Sequence, residues 1–387
     1  MNSNCFTSLQ LSQHPSLPAR VMAVDTPHGS FQTPAFMPVG TRAAVNCLSV
    51  AELNQTASPI ILGGNTYHML VNPGLERIHA LGGMHQMMGW HKPMLTDSGG
   101  YQIFSLSQNS KICRIHDNGA SFKHPDSGRV IEMTPEISIQ AQKTIGADIM
   151  MAFDECTPEE GGYVRAQQAL ERTHRWLLQS QAEHARSPYS DYGHYQALFG
   201  IVQGGCFKDL REQSAQFVGE LDLDGIAIGG EVIGYNMTKT QEVMEWVRPL
   251  LPRDKVRYTM GVGLGPQDLI DAVAAGADIF DCVAPTRNAR HGALYCGEFI
   301  YHNDWLQFVS LDDDKPRMLI KKQQYATDND PIMPDCDCWT CQHHTRAYLH
   351  YLFKSKQSLY VPLACLHNVR VMQRSCELMQ TLINTLN

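Results

Sequence analysis

With 387 residues, 43% of them hydrophobic and 18% charged, the chain has the composition of a soluble globular protein, with room for one large α/β domain plus an appendage or for two modest domains. It holds no apolar run of membrane-spanning length, and its first twenty residues, with Arg20 as their sole basic group, do not read as a signal peptide, so a cytoplasmic protein is expected. The net charge of −8 weighs against a polyanionic partner, but residues 282–387 sum to +1 and residues 1–281 to −9, so any nucleic acid should meet the C-terminal third.

In chain order, AFMPV (35–39) is predicted as a first strand, followed by the apolar runs PIILG (59–63), PMLTD (93–97) and DIMMAFD (148–154). ALFGIVQ (197–203), GIAIGG (225–230), VRYTMGVG (256–263) and DIFDCV (278–283) continue the series. Amphipathic stretches at 135–147, 163–184 and 208–221 are predicted helices between them. The alternation is that of βαβ units and a parallel sheet, either a closed barrel of eight units or an open doubly wound sheet. Several runs end on a polar residue or glycine: Asp97, Asp154, Gln203, Gly230 and Asp281. A closed barrel gathers such ends at one mouth, whereas an open sheet spreads them, so a (β/α)8 barrel is expected. No Gly-rich dinucleotide or Walker motif follows any run, which disfavours a nucleotide-cofactor fold.

After Val283 the rhythm changes. Short β-like pieces (GALYCGEFIY, PRMLI) lead into a cysteine cluster, a helix from about 343 to 355 and a last helix from about 366 to 385. The predicted organisation is a barrel core over 1–283, an insertion over 284–365, and a helix over 366–387 returning to the barrel. Basic clusters lie at Arg287 with Arg290 and at Lys315, Arg317, Lys321 and Lys322; on the bland reading they are solvated surface.

Of twelve cysteines, nine are scattered singly, as buried small residues or site thiols. Cys336-x-Cys338-x2-Cys341 is different, because three thiolates within six residues can wrap one tetrahedral ion. Zinc is the expected metal, in a closed structural site whose fourth ligand is open among His343, His344, His350, Cys365 and His367.

Asp97 and Asp281 form a carboxylate pair at strand ends. Cleaving a glycosidic bond needs one carboxylate to attack the sugar carbon and a second group to manage the leaving group's proton. Each aspartate alone reads as a cap or turn former, but Asp154 and Gln203 fall on the same predicted rim. Glycine pairs at 99–100, 204–205 and 229–230 would let backbone N–H groups approach a flat ligand, and Tyr101 and Met260 could sandwich its ring.

GNTYH (64–68), DSGGYQ (97–102), MAFDEC (151–156), VQGG (202–205), MGVG (260–263) and FDCVAPTRNARHG (280–292) resemble, in order and spacing, the bacterial tRNA-guanine transglycosylases. TPAFMPVGT (33–41) adds to the match near the N-terminus, and Cys336, Cys338, Cys341 and His367 meet the family's C-x-C-x2-C-x25-H zinc signature. The resemblance implies a zinc-carrying (β/α)8 barrel that exchanges an anticodon-loop guanine of tRNA for a 7-deazaguanine through a covalent aspartyl-ribose intermediate, commonly as a homodimer. It implies Asp281 as nucleophile, Asp97 as general acid/base, and Asp154, Gln203 and the backbone around Gly230 as readers of the base edge. Tyr101 and Met260 would stack on the base, with Cys156 beside it, and Arg287, Arg290, Lys321 and Lys322 would meet phosphates. One segment departs from the family. GGEVIGY (229–235) places Glu231 where leucine is usual and Tyr235 where glutamate is usual, in the loop that recognises the incoming base's side arm. Glu231 could hold a cationic aminomethyl arm, which favours 7-aminomethyl-7-deazaguanine. Queuine incorporation, or a non-catalytic partner subunit of such an enzyme, are the alternatives.

Overall fold

The computed structural model describes residues 5–157, 161–311 and 317–386. Eight short strands carry the fold: β1 (Ala35–Pro38), β2 (Ile61–Asn65), β3 (Met94–Asp97), β4 (Ile149–Met151), β5 (Ala197–Val202), β6 (Gly225–Ile228), β7 (Val256–Thr259) and β8 (Ile279–Cys282). Consecutive strands pair in parallel from β2 round to β8, and β8 pairs with β1. A parallel bridge between Val39 and Leu62 closes the ring, with the Gly40 N–H on the Leu62 carbonyl at 2.7 Å. The fold is therefore the (β/α)8 barrel expected from the repeated polar strand ends.

The strands are nearly continuous apolar runs because both of their faces are buried. Met37, Leu95, Met151, Phe199, Ile201 and Tyr258 belong to a buried cluster that fills the inside, while Phe36, Met150, Leu198, Ile226 and Phe280 pack outward beneath the helices. The bottom of the barrel is locked by aspartates that immediately precede strands. Asp148, Asp224 and Asp278 accept the N–H groups of Met94, Leu198 and Arg257 on the neighbouring strands at 2.9, 2.9 and 2.7 Å. Asp278 also takes both arms of Arg20 at 2.9 and 2.7 Å, fastening an N-terminal antiparallel sheet (Thr7–Gln13, Arg20–Thr26, Gly29–Gln32) across that end.

Three helices follow the predicted positions, at Pro135–Ile145, Gly162–Arg186 and Lys208–Gly219. Two features of the C-terminal part differ from expectation. The helix predicted over 343–355 starts later, as Arg346–Lys354, because Thr345 caps it through the Tyr348 N–H at 3.2 Å, and a separate short helix, Trp339–His343, precedes it. The last helix starts at Tyr360 instead of 366 and runs to Leu386; Pro362 sits in its first turn, where a missing N–H costs nothing. That helix fills the eighth helical position. Its Gln373 amide donates to the Phe36 carbonyl on β1 and to Ser58, both at 3.0 Å. Among the described residues, no helix is long and apolar enough to cross a membrane.

Candidate active site

The C-terminal strand ends open on a cavity of about 220 Å3 lined by Asp97, Asp154, Gln203, Gly230, Met260 and Asp281, together with Tyr101, Cys156 and Glu231. Every base-site residue expected from the sequence is thus gathered at one mouth.

Asp281 lies within β8. Its Oδ1 accepts both the Tyr258 hydroxyl at 2.6 Å and the Gly261 N–H at 3.0 Å, so neither donor engages Oδ2. Burial pushes its carboxyl pKa up, while the two donors pull it down. Tyr258 is fully buried, and burial and the Asp281 charge push its phenol up, so it remains a donor.

Asp97 ends β3. The Asn65 amide reaches both of its oxygens, at 2.6 and 2.7 Å, and Gly99 N–H donates to Oδ1 at 2.7 Å. Burial, reinforced by the charges of Asp281 and Asp154, pushes its pKa up to about 7 in spite of those donors. Such a carboxyl is divided between acid and base at neutral pH, the condition for moving a proton in either direction.

Asp154, beyond β4, accepts Gln203 Nε2 at 2.8 Å and the Ser98 hydroxyl at 3.4 Å, and burial pushes it up to about 6. A ligand donating two N–H groups to it would favour the ionised form. Gln203 Oε1 is buried without a hydrogen-bond partner, an uncompensated acceptor in the wall of the cavity. The wall is glycine where side chains would collide. A Cβ on Gly100 would come within 2.4 Å of Asp154 Oδ1, and one on Gly229 within 2.9 Å of Gln203 Nε2.

Tyr101 is half exposed, and burial, with nearby groups that include Glu231, raises both its phenol and the Cys156 thiol; Glu231 and Tyr235 line the same side of the mouth. Ile233, two residues on, is buried. Arg287 is exposed on the short helix Ala284–Arg290 that follows β8, with Arg290 at its end. Lys321 and Lys322 are exposed on the segment beside it, whose Ile320 N–H reaches the Gly292 carbonyl at 2.9 Å. Lys315 lies outside the described residues.

Away from the mouth, Cys336, Cys338, Cys341 and His367 form a buried cluster. The three sulfurs stand 3.7, 3.5 and 3.3 Å from His367 Nδ1, close to the roughly 3.5 Å between sulfur and nitrogen ligands on a tetrahedral zinc-sized ion. His367 Nε2 donates to the Tyr295 carbonyl at 2.7 Å, which leaves the Nδ1 lone pair aimed at the sulfurs. The donor set therefore fits a metal ion. The other candidate ligands are engaged elsewhere: His343 Nδ1 on the Trp339 carbonyl, His344 stacked on Tyr348, His350 Nδ1 on the Ile320 carbonyl, and Cys365 on that of Thr286.

A second group, His28, His85 and Asp148, lies at the barrel bottom. Here His28 Nδ1 bonds Asp148 at 2.8 Å and the two imidazoles stack 3.6 Å apart at 14°. His85 Nε2 stands 3.4 Å from the other oxygen of Asp148, so both rings address the aspartate that locks the barrel bottom.

Three residues of the site were not assigned roles in the sequence. Asn65 stands in GNTYH, where a buried amide beside a carboxylate could have been suspected. Tyr258 is indistinguishable in sequence from a barrel-filling aromatic. Arg211 reads as one more helix charge in KDLREQ, yet it is fully buried.

Comparison with known proteins supplies a family. The family described as Queuine tRNA-ribosyltransferase matches residues 16–385. A queuine tRNA-ribosyltransferase of Herpetosiphon aurantiacus is 44% identical over 365 residues, 94% of this chain and 86% of the relative. Those of Prochlorococcus marinus and Staphylococcus epidermidis are each 43% identical, over 95% and 93% of this chain and 89% and 87% of their own lengths. A match of that extent, over a barrel with these residues at its mouth, places the chain in the queuine tRNA-ribosyltransferase family.

Proposed function

We propose that the chain is a tRNA-guanine transglycosylase, a pentosyltransferase that exchanges guanine at the wobble position of tRNA for a 7-deazaguanine. The observation that carries this reading is the pairing of a singly anchored carboxylate, Asp281, with a carboxyl poised near neutrality, Asp97, beside a wall that complements a guanine edge. Asp281 Oδ2 attacks the ribose C1′ as the C1′–N9 bond breaks, and Asp97 supplies the proton that the departing guanine takes up. In the second half, Asp97 takes the N9 proton of the incoming base, N9 attacks C1′, and Asp281 is released. Asp154 accepts the N1 and N2 protons, while the second N–H of Gln203 Nε2, the first being held by Asp154, and the Gly230 N–H donate to O6. The target nucleotide must leave the anticodon-loop stack to reach this cavity. Arg287, Arg290, Lys321 and Lys322 supply phosphate contacts.

The incoming base we favour is 7-aminomethyl-7-deazaguanine. Its cationic arm suits the Glu231 carboxylate, and the buried Ile233 leaves little room for a cyclopentene arm. The metal is zinc, one per chain, held by Cys336, Cys338, Cys341 and His367; it holds the C-terminal subdomain in shape. The chain acts as a homodimer. Trp339 stacks on His343 and His344 on Tyr348, the two pairs meeting edge-on at Trp339 and His344; Trp339 and Tyr348 are exposed, and a second copy would cover them.

The test is exchange of labelled guanine into purified tRNA, followed by competition between 7-aminomethyl-7-deazaguanine and queuine. Absence of exchange would overturn the reading, base release without exchange would make the protein a hydrolase, and preference for queuine would overturn the choice of base.

A further inference from the structure

Arg211 is fully buried on the helix Lys208–Gly219, directly behind the wall of the cavity. Buried guanidinium groups are ordinarily matched by a carboxylate, but Arg211 contacts three carbonyls. Nε donates to Gly205 at 2.8 Å, and Nη1 donates to Val202 at 3.0 Å and Gly229 at 2.8 Å. Nη2 is buried with no hydrogen-bond partner, and among the described residues the group makes no ion pair. Burial pushes its pKa down to about 10, which leaves it a cation at neutral pH. The site thus keeps a desolvated positive charge whose cost no carboxylate offsets.

The carbonyls it holds belong to the end of β5, the loop that follows it and the loop after β6, beside the cavity. The Gly229–Gly230 peptide is trans, so a Gly229 carbonyl turned onto Arg211 sends the Gly230 N–H the opposite way, toward the cavity that Gly229 and Gly230 line. The Val202 carbonyl is shared between Arg211 and the Gly229 N–H at 3.1 Å, which ties the loop after β5 to the loop after β6. The approach is close enough to need glycine, since a Cβ on Gly230 would stand 2.6 Å from Arg211 Nη2.

We infer that Arg211 is a positioning residue that aims the Gly230 N–H at the carbonyl oxygen of the bound purine and polarises that donor through the Gly229 carbonyl. A cation on the carbonyl side of a peptide draws density from its N–H, strengthening the bond to an acceptor on the far side. As guanine leaves with the C1′–N9 electron pair, negative charge spreads onto its carbonyl oxygen, and a fixed donor there stabilises the departing base. This role rests on the transglycosylase reading and on guanine as ligand.

The experiment compares guanine with 6-thioguanine, whose sulfur is a weaker acceptor in the same place, as inhibitors of labelled-guanine exchange by wild type and Arg211→Lys. The expected result is that guanine binding weakens more than 6-thioguanine binding in Arg211→Lys, so that discrimination between the bases falls by roughly three- to tenfold. Equal weakening of both bases would overturn the role, since a merely structural loss has no reason to sense the purine oxygen. If Arg211→Lys does not fold, the wild-type protein carries the test. With glycine labelled at nitrogen and carbonyl carbon, the Gly230 amide signal should move downfield with guanine and less with 6-thioguanine. An unmoved signal overturns the role. Wild type that neither binds nor exchanges guanine overturns the transglycosylase reading as well, whereas active wild type with unchanged discrimination in Arg211→Lys overturns only the part given to Arg211.

Discussion

The Tyr258 hydroxyl and Asp281 meet at 2.6 Å on the one carboxylate oxygen that also takes the Gly261 N–H. One oxygen is anchored so that the other can act. Tyr258→Phe removes a charge-assisted hydrogen bond and should slow formation of the covalent enzyme–tRNA adduct by about ten- to a hundredfold at neutral pH. Because the lost donor favoured the carboxylate, the acid limb of the pH–rate profile should move to higher pH. Single-turnover rates over a pH series provide the check, and an unmoved limb would remove Tyr258 from the machinery.

Asp281→Asn is nearly isosteric but replaces a carboxylate by a far poorer nucleophile. Its expected effect is loss of the adduct trapped on denaturing gels, with tRNA binding largely retained. Asp97→Asn should instead slow both formation and breakdown of the adduct, because it disables proton transfer in both halves of the exchange.

Asp97 also makes stability depend on pH. Its folded pKa, about 7, is raised above the ordinary value of 3.8 mainly by burial. Between those values the folded state holds a proton that the unfolded chain releases, so this stabilisation is complete below about pH 4 and is lost as pH rises through 7. Asp97→Asn carries no such dependence. Urea unfolding should therefore show the variant gaining on wild type between pH 5 and pH 8, by on the order of 1–3 kcal/mol. A difference that does not change with pH would contradict the burial of this carboxyl as an acid.

The barrel was legible because its information is local. Runs such as ALFGIVQ are short, apolar on both faces and end on a polar residue, which fixes strand, burial and direction together. The mouth was legible for the same reason, since Asp97, Gln203 and Asp281 mark strand ends. What stayed hidden depends on tertiary context. Thr7–Gln13 is mostly polar and exposed, and Cys113–His116 is a brief edge of a small sheet, so neither presents an apolar pattern to read. Arg211 has the sequence surroundings of a solvated helix residue. Only the loops packed over it reveal that its charge is buried.

Glu231 is expected to favour a cationic side arm on the incoming base. In Glu231→Gln, competition kinetics should show the preference for 7-aminomethyl-7-deazaguanine over guanine falling by roughly ten- to a hundredfold, the range of a charge-assisted hydrogen bond. An unchanged preference would assign recognition of the arm to the backbone.

Freshly purified protein should contain one zinc ion per chain, and Cys338→Ser should lose most of it. Because His367 lies on the last helix, chelation should produce an early unfolding transition in the C-terminal part and weaken tRNA binding before the barrel melts. Elemental analysis together with calorimetry separates the two events.

The position of the last helix has a consequence for how the chain is made. Its Gln373 closes onto Phe36 near the start of the barrel, and its His367 completes the metal cluster. All eight strands are synthesised before the segment that covers β1 exists, so a nascent chain carries an uncovered apolar flank until synthesis passes Gln373. The barrel can settle only after the helix Tyr360–Leu386 has been made. A premature stop anywhere in the final helix should thus give an aggregation-prone product, even though every residue of the catalytic mouth has already been synthesised.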